Sequence, residues 1–185
     1  MKPKIAFIGA STGGPTLIKE LVLKLKSLSY TIVIAQHMKE EVIPFFIEDL
    51  KESASIKVIS TPITVTLNEA EVIVCSKSSK IIKDGHLFRF KTDTTNQIYT
   101  PDINQLLNSF VPYASEFDIK VIILTGIGRD GVDGAKNLKD YSCKVIAQDE
   151  NSSPVYGMPK YAYETGIADE VKSFQEIIKC LEEFC

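Results

Sequence analysis

A serine, a histidine and an aspartate in this chain each lie just beyond an apolar run, in glycine-rich or polar company. Ser11 falls in Gly9-Ala10-Ser11-Thr12-Gly13-Gly14-Pro15, His37 in Gln36-His37-Met38, and Asp130 in Thr125-Gly126-Ile127-Gly128-Arg129-Asp130-Gly131. The three residue types together can perform acyl transfer. A serine hydroxyl is a weak nucleophile until an imidazole takes its proton, and the imidazole needs a carboxylate to fix its tautomer. The chain order Ser, His, Asp is unfamiliar among serine hydrolases, but chemistry does not constrain order. Such a reaction also needs N–H groups aimed at the developing oxyanion. The turn Gly126-Ile127-Gly128 can supply them, as can a helix N-terminus starting near Thr12. His86, the other histidine, sits beside an Asp84-Gly85 turn and reads as a surface position.

Each residue taken alone has a plainer explanation. Ser11 can cap a helix, His37 can be structural, and Asp130-Gly131 can be a turn. Gly9, Gly13 and Gly14 can instead form a phosphate loop at a helix N-terminus, which would make the chain a nucleotide-binding regulatory domain. The run matches neither common phosphate-loop spacing, however, and Gln36-His37 stands where a ribose-binding acid is expected.

The residues need a scaffold that brings them together. Lys4 to Ile8, Thr31 to Ala35, Val121 to Leu124 and Lys144 to Gln148 read as buried strands. Helical spacing runs through Leu17–Leu25, Glu40–Glu52, Leu106–Val111, Val132–Lys139, Pro159–Glu164 and Phe174–Leu181. Between them, Ile56–Ile59, Val72–Cys75 and Ile81–Phe90 read as short strands, the last a hairpin about Asp84-Gly85. The expected fold is α/β: a doubly wound, mostly parallel sheet with helices on both faces and an antiparallel edge hairpin. A chain of 185 residues without linker or repeat reads as one domain, residues 1–185. Ligands of such sheets bind beyond the carboxyl ends of the strands, where Ser11, His37 and Asp130 would meet.

Composition narrows the partners. A net charge of −3 and only two arginines, Arg89 and Arg129, argue against nucleic acid. No apolar stretch approaches the roughly 20 residues of a membrane span, so no membrane insertion and a cytoplasmic location are expected. The four cysteines show no metal-ligand spacing and read as reduced structural thiols. Nothing in the residues sets an oligomeric state.

The motifs just quoted, with Ala147-Gln148-Asp149-Glu150 and Val155-Tyr156-Gly157-Met158-Pro159 followed by Ala162, closely resemble the catalytic domain of the bacterial chemotaxis protein-glutamate methylesterase family. The resemblance spans nearly the whole chain. It implies hydrolysis of γ-glutamyl methyl esters on the cytoplasmic helices of methyl-accepting chemotaxis receptors, with deamidation of receptor glutamines as a second activity. It places the catalytic roles on Ser11, His37 and Asp130. Around them it sets Thr12, Gly126, Ile127, Gly128, Tyr156 and Met158 as oxyanion and pocket residues. No metal and no cofactor is implied. A receptor-binding scaffold without catalysis is the remaining alternative, and intact Ser11, His37 and Asp130 speak against it.

Three departures accompany the resemblance. Most members carry an N-terminal receiver domain, whereas here the first strand begins a few residues after Met1. The expectation is therefore a chain lacking that domain, with the start at Met1 favouring a stand-alone esterase over an excised piece. Ile127 replaces a usual methionine, which leaves a backbone donor intact. Ser76–Ile81, with Lys80 at a usual histidine, and Thr100-Pro101-Asp102-Ile103-Asn104 also differ from the family's usual runs and are expected to bear on receptor docking.

Overall fold

The computed structural model describes residues 2–67, 69, 71–95 and 98–184. A seven-stranded sheet forms its centre, in the order β10-β9-β8-β1-β2-β5-β3. Its strands are β1 (Lys4–Ala10), β2 (Thr31–Gln36), β3 (Lys57–Ser60), β5 (Glu71–Val74), β8 (Asp118–Ile123), β9 (Lys144–Gln148) and β10 (Glu170–Lys172). Every pairing in it is parallel. Parallel strands covered on both faces read as unbroken apolar runs, and β2 (Thr-Ile-Val-Ile-Ala-Gln) is buried along its entire length.

Alternation along β1 sorts the helices. Ala6, Ile8 and Ala10 face a core shared with α1 (Gly14–Lys24), α2 (Ile43–Ser53) and α6 (Phe174–Glu182). Ile5 and Phe7 face the other core, shared with α3 (Ile103–Phe110), α4 (Val132–Lys139) and α5 (Met158–Glu164). A period of two is what lets one strand feed both layers. Pro15 and Pro44 occupy the first turns of α1 and α2, where a missing N–H costs nothing. A capping box between Ser173 and Glu176 starts α6.

The antiparallel hairpin is β6 (Ser79–Asp84) with β7 (Leu87–Thr92). It does not pair with the edge of the parallel sheet. It joins β4 (Ile63–Val65) in a separate three-stranded sheet, order β4-β7-β6. The reason is visible in its one-sided pattern: Ile81, Phe88 and Phe90 point into the α3 core, while Leu87, Arg89 and Lys91 face outward. Phe88 packs edge-on against Phe117 at 5.5 Å, and Phe110 against Phe7 at 5.1 Å. Such pairs add about 0.5–1.5 kcal/mol each beyond their burial, enough to seat the small sheet over α3. His86 is exposed at the hairpin turn.

No helix among the described residues is long and apolar enough to cross a membrane. Cys75 and Cys143 are buried, Cys180 is half-buried and all three are free thiols; Cys185 lies outside the described residues. Burial pushes the Cys75 and Cys143 thiols up to about 12. At pH 8 their thiolate fraction is thus on the order of 10⁻⁴. Iodoacetamide applied to the native chain is expected to leave both unlabelled on peptide mapping, and to label both after denaturation. Native labelling of Cys75 would contradict this packing.

Candidate active site

The strands β8, β1 and β2 are neighbours at the centre of the sheet. Connections leave β1 toward β2 on one side and return to β8 on the other, so this is the switch point where an open α/β sheet leaves a crevice. Ala10 is in register with Gln36, and Gly9 with Ile123. Ser11 and His37 are the next residues along β1 and β2, which puts their backbones about 5 Å apart. The alignment continues past the strands, since His37 N–H donates to Ala10 O and Ser11 N–H to Thr125 O, each at 2.9 Å.

Ser11 is not a helix cap. The cap of α1 is Gly13, in the left-handed region at φ 83° and with no side-chain bond. Among the described residues the Ser11 hydroxyl makes no hydrogen bond, to His37 or to any other group. Its Cβ is tightly enclosed: a Cβ built on Gly126 would fall 2.5 Å from it and 2.6 Å from Met158 Sδ. Only glycine lets the β8 turn approach Ser11 this closely.

His37 and Asp130 meet directly. Nε2 of His37 lies 2.7 Å from Asp130 Oδ2, with the two side chains 11% and 1% exposed. If Nε2–H donates to the carboxylate, Nδ1 holds the lone pair that can accept a proton. Asp130 also accepts three backbone N–H bonds: Ile103 to Oδ2 at 2.8 Å, and Asn104 and Gly131 to Oδ1 at 2.9 Å each. Ile103 and Asn104 open α3, whose N-cap Asp102 accepts from Gln105 N–H. The free N–H groups and positive end of a helix are thus turned on this carboxylate. Asn104 Oδ1 in turn accepts from Gly134 N–H at 2.8 Å, tying α3 to α4.

The turn after β8 is held by Thr125. Its N–H donates to Gln148 Oε1, and its hydroxyl donates to Thr12 O and accepts from Val155 N–H, all at 2.9 Å. This changes the expected oxyanion donors. Gly126 N–H is committed to Val155 O at 3.0 Å, and Gly126 O to Met158 N–H at 2.8 Å. Ile127 and Gly128 N–H have no partner among the described residues, and neither have those of Thr12 and Gly13. Met158 is fully buried beneath the turn and supports it. Tyr156 is half-buried beside Gly126; burial, with Glu150 nearby, pushes its phenol upward. An open groove of about 930 Å³ starts at His37 and continues past Met38, Glu40 and Ile98. Among the described residues no three His, Cys, Asp or Glu side chains are grouped to hold a metal ion.

Sequence reasoning overlooks Gln36. Its side chain is 3% exposed, and its Nε2 donates to Ser11 O at 2.9 Å and His37 O at 2.8 Å. One amide therefore clamps the backbones of the proposed nucleophile and base. The available signal is a long polar residue closing a short apolar run, Ile32–Ala35, a pattern that Gln148 repeats after Val145–Ala147 at the end of β9. Gln36→Leu leaves the His37 carbonyl without a donor and the Ser11 carbonyl with only Gly14 N–H, so a loss of about 1–3 kcal/mol is expected in urea unfolding. Hydrolytic activity should fall with it, by about 10-fold or more. Unchanged stability and rate would deny the clamp.

The profile of the CheB methylesterase family matches residues 6–181. A protein named protein-glutamate methylesterase/protein-glutamine glutaminase 1 from Saccharophagus degradans is 33% identical over 179 residues, covering 94% of this chain and 48% of that protein. A relative named protein-glutamate methylesterase/protein-glutamine glutaminase from Sulfurimonas denitrificans is also 33% identical, covering 94% of this chain and 50% of that one. The chain spans about half the length of these curated relatives. The crystal structure of the Thermotoga maritima CheB methylesterase catalytic domain superposes with a TM-score of 0.87 at 28% identity, covering 100% of both chains. The family profile and the shared fold both extend across the β1, β2 and β8 strand ends: this chain belongs to the CheB methylesterase family.

Proposed function

We propose that residues 1–185 form a single catalytic domain that hydrolyses γ-glutamyl methyl esters on the cytoplasmic helices of methyl-accepting chemotaxis receptors. Ser11 Oγ attacks the γ-carbonyl as its proton passes to Nδ1 of His37, and Asp130 holds the imidazolium through Nε2–H. The oxyanion is met by N–H groups of the two loops beside Ser11, Thr12 and Gly13 after β1 and Ile127 and Gly128 after β8, none of which has another partner among the described residues. Collapse of the tetrahedral intermediate expels methanol with the proton returned from His37, leaving the glutamyl side chain esterified to Ser11. A water, deprotonated by His37, then releases the glutamate carboxylate and restores the serine hydroxyl. No metal or cofactor enters these steps.

The observation that carries this reading is the 2.7 Å contact of His37 with Asp130, one strand away from a serine whose hydroxyl is unengaged. The printed names of the relatives support the substrate. Those names also include a glutaminase, and the same acyl-enzyme serves deamidation with ammonia as the leaving group. A cytoplasmic location follows from such a substrate. The test is release of methanol from methyl-esterified receptor by the purified chain, with ammonia release from glutamine-bearing receptor measured in parallel. Absence of both, where a known methylesterase acts, would refute the reading.

A further inference from the structure

The groove beside His37 contains an aromatic residue that the mechanism above does not use. Tyr99 lies on the loop between β7 and α3, and its ring stacks on the His37 imidazole with centroids 4.8 Å apart and planes 8° from parallel. A Cβ built on Gly128 would sit 3.3 Å from its hydroxyl oxygen. The side chain therefore spans the space from the imidazole face to the turn carrying the Ile127 and Gly128 N–H groups.

Backbone tethers place this ring independently of the ring itself. Met38 N–H donates to Thr100 O at 3.1 Å. The Ser78 hydroxyl donates to Tyr99 O at 3.3 Å, and Ile98 N–H to Asp102 Oδ2 at 3.3 Å. The neighbouring Ile98 is thrown outward, 83% exposed, while Tyr99 is turned inward and half-buried. Asp102 and Ser78 are themselves bonded to each other, Asp102 N–H to Ser78 Oγ at 2.9 Å. The loop is thus hung from α3, the same helix whose first two N–H groups hold Asp130.

We propose that Tyr99 is a positioning residue for His37: its ring fixes the plane of the imidazole, so that Nε2 stays on Asp130 while Nδ1 faces Ser11. An imidazole held at one nitrogen can still swing about that bond, and a near-parallel aromatic face opposes the swing. When His37 takes the serine proton, the same face lies within cation–π range of the imidazolium. The ring, not the hydroxyl, carries the effect. This inference rests on the assignment of His37 as the catalytic base, and its test includes a readout that does not depend on hydrolysis.

The experiment compares wild type, Tyr99→Phe and Tyr99→Leu. By proton NMR, the hydrogen-bonded Nε2–H of His37 is expected as a downfield resonance in wild type and Tyr99→Phe, and broadened or lost in Tyr99→Leu. The carbon-bound ring protons of His37 should be shifted upfield by the stacked ring in the first two proteins only. In steady-state hydrolysis, kcat should fall by about 10–100-fold in Tyr99→Leu with KM changed by less than about 3-fold, and Tyr99→Phe should retain the wild-type kcat. An intact Nε2–H resonance in Tyr99→Leu would overturn the proposal. So would a Tyr99→Phe variant as impaired as Tyr99→Leu, since that would assign the effect to the hydroxyl. If wild type hydrolyses nothing, the proposed function falls, while the resonances still decide whether Tyr99 orders His37.

Discussion

Ser11→Ala is expected to lower ester hydrolysis by about 10⁴–10⁶-fold, the range over which serine hydrolases lose rate without their nucleophile. The expected cost in stability is within about 0.5 kcal/mol. The asymmetry follows from what the hydroxyl does in the fold. Its oxygen makes no hydrogen bond among the described residues, so its removal leaves nothing unpaired, and the Cβ that packs against Gly126 is retained. The carbonyl that Gln36 grips and the N–H bonded to Thr125 O are backbone groups and survive. Superimposable unfolding curves with a collapsed rate would therefore separate chemistry from structure. A variant that keeps more than about a tenth of the wild-type rate would remove Ser11 from the mechanism.

Asp130 should behave in the opposite way, losing rate and stability together. Its four hydrogen bonds divide evenly, with His37 Nε2 and Ile103 N–H on Oδ2, and Asn104 and Gly131 N–H on Oδ1. Asparagine has the same shape but cannot satisfy them. Whichever way its amide is turned, the NH₂ faces two donors. In one orientation it also confronts His37 Nε2 and drives the imidazole to the wrong tautomer, so a loss of about 10⁴-fold in kcat is expected. Asp130→Ala removes the carboxylate altogether and orphans three buried N–H groups at the start of α3 and α4. A stability loss of about 3–5 kcal/mol is expected there, measured as a lower midpoint in urea at unchanged m-value. Hydrogen exchange should report the loss first at Ile103 and Asn104. A variant as stable as wild type would mean that Asp130 does not hold the helix.

Much of this arrangement is legible in the residues, and the physical reason differs from part to part. The apolar runs of β1, β2 and β8 end in glycine or polar residues, so their strand ends announce themselves. Even so, β1 runs two residues beyond Ile8, through Gly9 and Ala10, and delivers Ser11 directly. Strands of three residues, β4 and β10, carry too little pattern to be found. The stretch Thr100–Asn104 illustrates a deeper limit. Its departure from the family's usual run invites a docking role, yet in the fold it begins the helix that grips Asp130 and hangs the loop that carries Tyr99. Both contacts join segments far apart in the chain, and no local periodicity records them. Lys80, which replaces a usual histidine, instead pairs with Asp93 at 2.9 Å. The turn proposed to meet the oxyanion fails to be legible for a different reason. Three consecutive N–H groups look equivalent in sequence, and only the parallel bridge from Gly126 to Tyr156 shows that one of them is already engaged.

Every other step of the proposed mechanism depends on acylation of Ser11 during turnover. The most direct measurement is an acid quench of the purified chain mixed with a methyl-esterified receptor peptide, followed by peptide mapping in a mass spectrometer. A covalent adduct on Ser11 with the mass of the substrate less methanol is expected, absent in Ser11→Ala. An adduct on another residue, or undiminished methanol release from Ser11→Ala, would contradict it.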